Sequence, residues 1–109
     1  MRLFRLIYSP EAQRDLANIA ACYSSPGIAS AITSRFLHYA KHTAERLRSC
    51  PHAGRLYTLP HELLHTLHVL PVNIFSDYPI FYIADGTTVE IVRVLHGARD
   101  VRALLESTL

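Results

Sequence analysis

Histidines are the residues of this sequence whose spacing most directly suggests chemistry. Residues 61–65 read His-Glu-Leu-Leu-His, and a further histidine follows at His68. On a helix, this H-E-x-x-H pattern places two imidazoles on one face to bind zinc, and it places the glutamate beside the bound water as a general base. A zinc metalloprotease is therefore the first hypothesis to be weighed.

The sequence around this pattern does not favour a zinc-binding helix. Pro71 limits any helix beginning at Pro60 to about three turns, and residues 65–70 alternate polar and apolar side chains as a strand does. With seven histidines and five glutamates, a chance match to this short pattern is uncommon in one chain but frequent across many chains. We interpret His61, His65 and His68 as loop and strand histidines, with adventitious metal binding as the alternative. The sequence thus predicts no metal site and no cofactor.

The N-terminal half predicts a strand followed by two helices. Residues 2–8 are almost wholly apolar, which indicates a buried strand. Ser9 is a suitable N-cap for a helix whose first position is Pro10. A second helix is predicted over residues 28–49, where apolar side chains recur at helical spacing. The short turn between the two helices predicts an antiparallel helical hairpin.

The C-terminal half predicts three strands and a short helix. The runs LHTLHVL (64–70), DYPIFYIA (77–84) and TVEIVRVLH (88–96) are rich in strand-forming residues, and Asp85-Gly86 between the last two indicates a hairpin turn. Pro79 cannot donate a ladder hydrogen bond, which predicts an edge or a bulge at its strand. We therefore predict an α+β domain of order β-α-α-β-β-β-α, in which the helical hairpin packs on a mostly antiparallel four-stranded sheet.

Composition sets limits on the class of protein. A chain of 109 residues is long enough for a single domain, here residues 1–109, and contains no apolar run long enough to span a membrane. The net charge of +2 is too small to indicate nucleic-acid binding. Of the 11 basic residues ten are arginine, which suits acidic partners, and the two cysteines suit a reducing compartment. The sequence predicts a cytoplasmic protein.

Residues 77–101, DYPIFYIADGTTVEIVRVLHGARDV, carry the most specific pattern. A tyrosine-rich strand and a short turn precede a strand ending in I-x-R-V-L-H, and G-x-R-D then opens the last helix. This order closely resembles the ParE branch of the ParE/RelE toxin superfamily. Residues 8–19 resemble the opening strand and first helix of that family, and residues 47–54 resemble its L-x-x-x-P-x-x-G. The resemblance therefore covers nearly the whole chain.

The resemblance implies the toxin of a type II toxin–antitoxin module of the plasmid stabilisation type. Such toxins are neutralised by a ParD-like antitoxin, with which they form a hetero-oligomer, and typically inhibit DNA gyrase. The resemblance implies contact with DNA only through the antitoxin, and it implies no catalytic residue. We expect the groove between the helices and the sheet to receive an amphipathic helix of the antitoxin. His68, or else His65, stands where many relatives have an arginine, so partner contacts on this strand are expected to differ.

A RelE-type ribosome-dependent mRNA endoribonuclease is the alternative within the superfamily. Such an enzyme needs cations to stabilise the phosphate and groups to transfer protons. RelE-like enzymes typically carry lysines on the second strand, an arginine on the middle strand and a C-terminal tyrosine. Here that strand has no lysine, Pro79 stands at or near the arginine position, and no tyrosine follows Tyr82. Only Arg93, His96 and Arg99 remain as phosphate-binding or acid–base groups, which favours the gyrase inhibitor.

The motif also supplies the candidate site residues, each with a structural alternative. Arg93 is expected to point away from its neighbours Val92 and Val94, and it could instead form an ion pair with Glu90 or Asp100. His96 could be a structural histidine and Tyr82 a core residue. Two positions are predicted to be structural: Gly97, relieving strain at the strand exit, and Asp100, capping the last helix. The predicted target- or partner-binding residues are Arg93, His96, Arg99, Arg102 and Tyr82.

Overall fold

A computed structural model describes residues 3–22, 29–57, 67–97 and 100–107 of the chain. The predicted order of a strand, two helices, further strands and a final helix is confirmed, but the sheet has five strands and not four. The additional strand has only two residues, too few for any periodicity to show in the sequence. The elements are β1 (Arg5–Tyr8), α1 (Pro10–Cys22), α2 (Ala29–Arg46), β2 (Arg55–Leu56), β3 (His68–Pro71), β4 (Pro79–Asp85), β5 (Thr88–Val94) and α3 (Val101–Ser107).

The sheet is mixed, with the order β1-β5-β4-β3-β2. β1 runs parallel to β5, whereas the other three pairings are antiparallel. β1 and β5 are neighbours in the sheet, although two helices and three strands separate them in the sequence. The described helices include none that is both long and apolar enough to cross a membrane.

Side chains cap the N-termini of α1 and α3 at the positions that the sequence predicts. The backbone N–H of Ala12 donates to Ser9 Oγ over 3.0 Å, which confirms Ser9 as the N-cap of α1. The N–H of Ala103 donates to Asp100 Oδ1 over 3.2 Å, which confirms Asp100 as the cap of α3. Ser9 Oγ also donates to the Val92 carbonyl over 2.7 Å, so the cap of α1 fastens that helix to β5 as well.

Pro79 begins the central strand and does not lie at an edge of the sheet. It faces Pro71 of β3, and the N–H of Val72 donates to the Tyr78 carbonyl beside this pair over 3.0 Å. That bond places the two prolines at a non-hydrogen-bonded position of the β3–β4 ladder. On the other side the Pro79 carbonyl accepts the Leu95 N–H over 3.2 Å, one residue beyond the last pair of β4 with β5, so the missing N–H falls at the end of that ladder. A proline at the first position of the strand is therefore tolerated without an edge.

Two hydrophobic clusters cover the two faces of the sheet. Ile80 and Tyr82 point toward α1 and α2, whereas Phe81 between them points toward α3. Leu105 of α3 is fully buried in the second cluster. The first cluster includes Leu16, Phe36, Ala40, Ala44, Leu47, Ile80, Tyr82, Val89, Ile91 and Val94, and the second Leu67, Val69, Phe81, Val92, Leu95 and Leu105.

Candidate partner-binding site

A β-bulge sets the position of Arg93. The pairing of β4 with β5 passes from Tyr82 opposite Ile91 to Phe81 opposite Arg93, so Val92 is an extra residue on β5. Val92 then joins the second hydrophobic cluster, whereas Val94 belongs to the first. The expectation that Arg93 points away from both valines is therefore wrong, because the bulge interrupts the alternation on which it rested.

Arg93 forms an ion pair with Asp15 of α1. Arg93 Nε donates to Asp15 Oδ2 over 2.7 Å, and Nη2 donates to Oδ1 over 2.8 Å. The side chains are only 13% and 7% exposed, respectively. This bidentate contact raises the pKa of Arg93 above its ordinary value, although burial acts in the opposite direction. The predicted pairing of Arg93 with Glu90 or Asp100 is replaced by one with a residue much earlier in the chain.

Asp15 also completes the hydrogen bonding of β5. β1 ends at Tyr8, opposite Ile91, so β5 extends beyond its parallel neighbour. The N–H of Val94 donates to Asp15 Oδ2 over 3.0 Å. A buried backbone N–H without a partner is costly. The Asp15 carboxylate of α1 therefore provides the acceptor for a β5 residue that lies beyond the end of β1.

Arg93 reaches the C-terminal helix as well. Its Nη1 donates to the carbonyl of Leu104 over 3.4 Å. That carbonyl lies in the last turn of α3, where a cation interacts favourably with the helix dipole. Arg93 therefore connects α1, β5 and α3 through one guanidinium group.

His96 and Gly97 lie just beyond β5. His96 is half-buried, with its ring edge-on to Tyr78 at a centroid distance of 4.8 Å. Both line a small cavity with Asp15 and Asn18, so the fold brings His96 close to the Asp15–Arg93 pair. The N–H of Gly97 donates to the Asp77 carbonyl over 2.7 Å. A Cβ on Gly97 would approach that same carbonyl to 3.3 Å, so close approach, and not a positive φ, explains this glycine.

The remaining predicted residues are dispersed. Tyr82 is fully buried, and its hydroxyl accepts a hydrogen bond from the N–H of Gly54 over 2.9 Å. Burial raises the pKa of Tyr82, and the Gly54 hydrogen bond offsets this only in part. Arg102 is exposed on α3, where its Nε lies 3.3 Å from Glu106 Oε1. Arg99 lies outside the described residues, so its predicted contact stays a prediction.

The histidines of the H-E-x-x-H pattern, His61 and His65, also lie outside the described residues. His68 begins β3, in agreement with the predicted strand, and its ring stacks on Tyr82 at a centroid distance of 5.5 Å. The described part of the chain contains no group of three or more histidine, cysteine or acidic side chains arranged to hold a metal ion.

An apolar groove lies along β1, between the sheet and the helical hairpin. It has a volume of about 530 Å³. Its position agrees with the expected groove between helices and sheet, but its lining residues come from three separate elements, and no local pattern predicts that they meet. The burial of Tyr8 and the charge of Glu45 raise the pKa of the Tyr8 hydroxyl at one side of this groove. The groove is lined by Leu6, Ile7, Tyr8, Gln13, Leu16, Ala17, Ala20, Leu37 and Lys41.

Comparisons with known proteins agree with this architecture. Residues 6–101 match the family described as the ParE toxin of the type II toxin–antitoxin system, parDE. A solved structure titled as the chromosomal ParDE toxin–antitoxin system from P. aeruginosa superposes with a TM-score of 0.71 at 17% identity, over 86% of this chain and 96% of that chain. No curated protein matches the sequence. The family match spans most of the sequence, and the chain belongs to the ParE toxin family of type II toxin–antitoxin systems.

Proposed function

We propose that the protein acts by binding DNA gyrase and inhibiting it, and that a ParD-like antitoxin neutralises it. Membership of the ParE family supports a toxin role, and the typical target of that family supports gyrase. The protein would act in the cytoplasm, where its target resides. Any contact with DNA would be made by the antitoxin in the complex.

The surroundings of Arg93 are the observation that carries the choice of an inhibitor over an RNA-cleaving enzyme. A nuclease needs a guanidinium that can reach the scissile phosphate. The Nε and Nη2 groups of Arg93 already donate to the Asp15 carboxylate, and the two side chains are largely buried. The Tyr82 hydroxyl is bound to the Gly54 N–H beneath the surface. These arrangements support a structural role for the motif, so that toxicity depends on surface contacts with a protein.

The groove along β1 is the surface we assign to the antitoxin. Its floor is apolar, from Leu16 and Leu37, while Lys41 and Gln13 stand at its border. An amphipathic helix can bury its apolar side chains in such a groove and place an acidic side chain near Lys41. Ile7, which also lines the groove, is 40% exposed and adds apolar surface for a partner to cover.

The function is tested by expressing the chain without antitoxin and assaying the purified protein. We expect it to inhibit supercoiling by gyrase, and added antitoxin to relieve the inhibition. Messenger RNA should stay intact during translation. Cleavage of translated mRNA would instead support the nuclease alternative, and inhibition of neither process would contradict both functions.

The groove is tested separately with a charged substitution. Ala17 is exposed and lines the groove, so Ala17→Glu should place an unpaired carboxylate against the apolar part of the antitoxin. We expect affinity to fall by about tenfold or more, which corresponds to ~1.4 kcal/mol. Asn18→Glu adds the same charge to the next residue, which lines a different cavity, and should leave affinity unchanged. Equal effects of both substitutions would refute the groove assignment.

A further inference from the structure

Two histidines on α2 have the helical spacing that two-histidine metal binding requires. His38 and His42 are four residues apart on α2 (Ala29–Arg46), and both are exposed. Their ring centroids are 6.1 Å apart, and the ring planes differ by only 15°. Residues four apart share a helix face. The helix alone therefore brings these imidazoles together.

The separation of the rings fits a single metal ion between them. An imidazole nitrogen binds zinc at about 2.0–2.1 Å, which puts the ion about 3.2 Å from the ring centre. Two rings on one ion then have centroids about 5.2 Å apart at a tetrahedral angle and about 6.4 Å apart when they lie on opposite sides. The observed 6.1 Å lies inside this interval. The rings are stacked with nearly parallel planes, so both side chains must rotate to turn one nitrogen of each ring toward the ion.

Two cations and one carboxylate surround the pair. Lys41 and Glu45 line the same shallow depression as His38 and His42. The ammonium of Lys41 would repel a cation, whereas the carboxylate of Glu45, one turn beyond His42, attracts it. Arg48 Nη1 donates to Glu45 Oε1 over 2.6 Å, which holds this carboxylate toward the end of the helix. The described residues provide no third protein ligand in this arrangement, and water completes the coordination.

We propose that His38 and His42 form a binding site for one divalent transition-metal ion. Imidazole ligands suit Cu²⁺, Ni²⁺ and Zn²⁺, with Cu²⁺ bound most tightly. The ion links two successive turns of α2 and binds only when this segment is helical. Neither histidine lines the groove along β1, but Lys41 between them lines both the groove and this depression, so the site borders the proposed antitoxin surface.

The test is a titration of the untagged full chain with Ni²⁺ by calorimetry at neutral pH. His38→Ala and His42→Ala should each weaken binding on the order of 100-fold, because each leaves a single ligand where two acted together. The double variant should show little further loss. The control is His61→Ala combined with His65→Ala, which removes the H-E-x-x-H histidines and should leave binding unchanged. Circular dichroism establishes that each variant is folded.

A rescue variant distinguishes a ligand from a residue that only maintains the helix. His42→Ala combined with Lys41→His restores two histidines on one face at a spacing of three residues. We expect Ni²⁺ binding to return, together with the rise in Tm that binding to the native state produces. Loss of binding in the His61/His65 control instead would overturn the proposal in favour of the H-E-x-x-H segment. Binding that survives every α2 variant, or no binding by the native chain, would also overturn it.

Discussion

Removal of either side of the Arg93–Asp15 pair should destabilise the fold strongly. The perturbations are Asp15→Ala, Arg93→Ala and the double variant. The two side chains are joined by two short hydrogen bonds and are 7% and 13% exposed. Removing one partner of such a pair leaves the other charge largely buried without compensation, which costs about 3–5 kcal/mol. Asp15→Ala should be the more damaging because it also deprives the Val94 N–H of its acceptor.

The double variant separates the interaction from the individual side chains. It removes both charges at once, so its loss should be smaller than the sum of the single losses by about 2–3 kcal/mol. The assay is urea denaturation followed by circular dichroism, with the free energy of unfolding extrapolated to water. Asp15→Asn retains an acceptor for Val94 and provides a milder variant if Asp15→Ala is too unstable to measure.

The matched control is the exposed pair of α3. Arg102 Nε lies 3.3 Å from Glu106 Oε1, and the side chains are 63% and 47% exposed. Because solvent screens such a pair, Glu106→Ala should change stability by less than about 1 kcal/mol. If Asp15→Ala and Arg93→Ala each cost no more than this control and their effects simply add, the buried pair does not stabilise the fold as an ion pair.

Four further substitutions test other parts of the fold. Gly54→Ala would place a Cβ 2.7 Å from the Val69 carbonyl oxygen and 2.8 Å from Tyr82 Oη. Urea denaturation should therefore show a fall of about 2 kcal/mol or more in the free energy of unfolding. Gly97→Ala, for which the nearest contact is 3.3 Å, should lower it by less. Burial raises the pKa of the Tyr82 hydroxyl above its ordinary 10.0 in the folded state. The stability that the protonated hydroxyl contributes is therefore present below pH 10 and is lost as the pH rises through the folded-state pKa. Tyr82→Phe should reduce the fall in the free energy of unfolding that is measured above pH 10. Ile74 has a φ of 73° and is 60% exposed, so Ile74→Asn should raise the free energy of unfolding by about 1 kcal/mol, and an unchanged or lower value would contradict strain at this turn.

The predictable parts of the fold are those that short segments specify. Ser9 and Asp100 cap helices as their positions suggest, since capping needs only a side chain near the first turn. Gly86 adopts a φ of 59° in the turn between β4 and β5, as the Asp-Gly pair predicts. In each case the interaction joins residues a few positions apart, so the sequence around them contains the necessary information.

The parts that could not be predicted depend on tertiary contacts. The partner of Arg93 is 78 positions away in the sequence, whereas the predicted partners, Glu90 and Asp100, are acidic residues close to it in the chain. The bulge at Val92 leaves no composition signal, yet it decides which face Arg93 occupies. β2 exists only because Arg55 and Leu56 pair with β3. The groove likewise requires β1, α1 and α2 to be in place before its apolar lining exists.

α1 connects the proposed antitoxin groove to the motif at the end of β5, and this affects how variants should be interpreted. Leu16 and Ala17 line the groove, while the adjacent Asp15 is bound to Arg93. Loss of Arg93 would therefore shift α1 and weaken antitoxin binding without any contact between Arg93 and the antitoxin. A true groove variant such as Ala17→Glu should lower antitoxin affinity while leaving Tm nearly unchanged, whereas an Arg93 variant should lower both. Reduced affinity alone consequently does not assign Arg93 to the interface, and only the two measurements together distinguish contact from support.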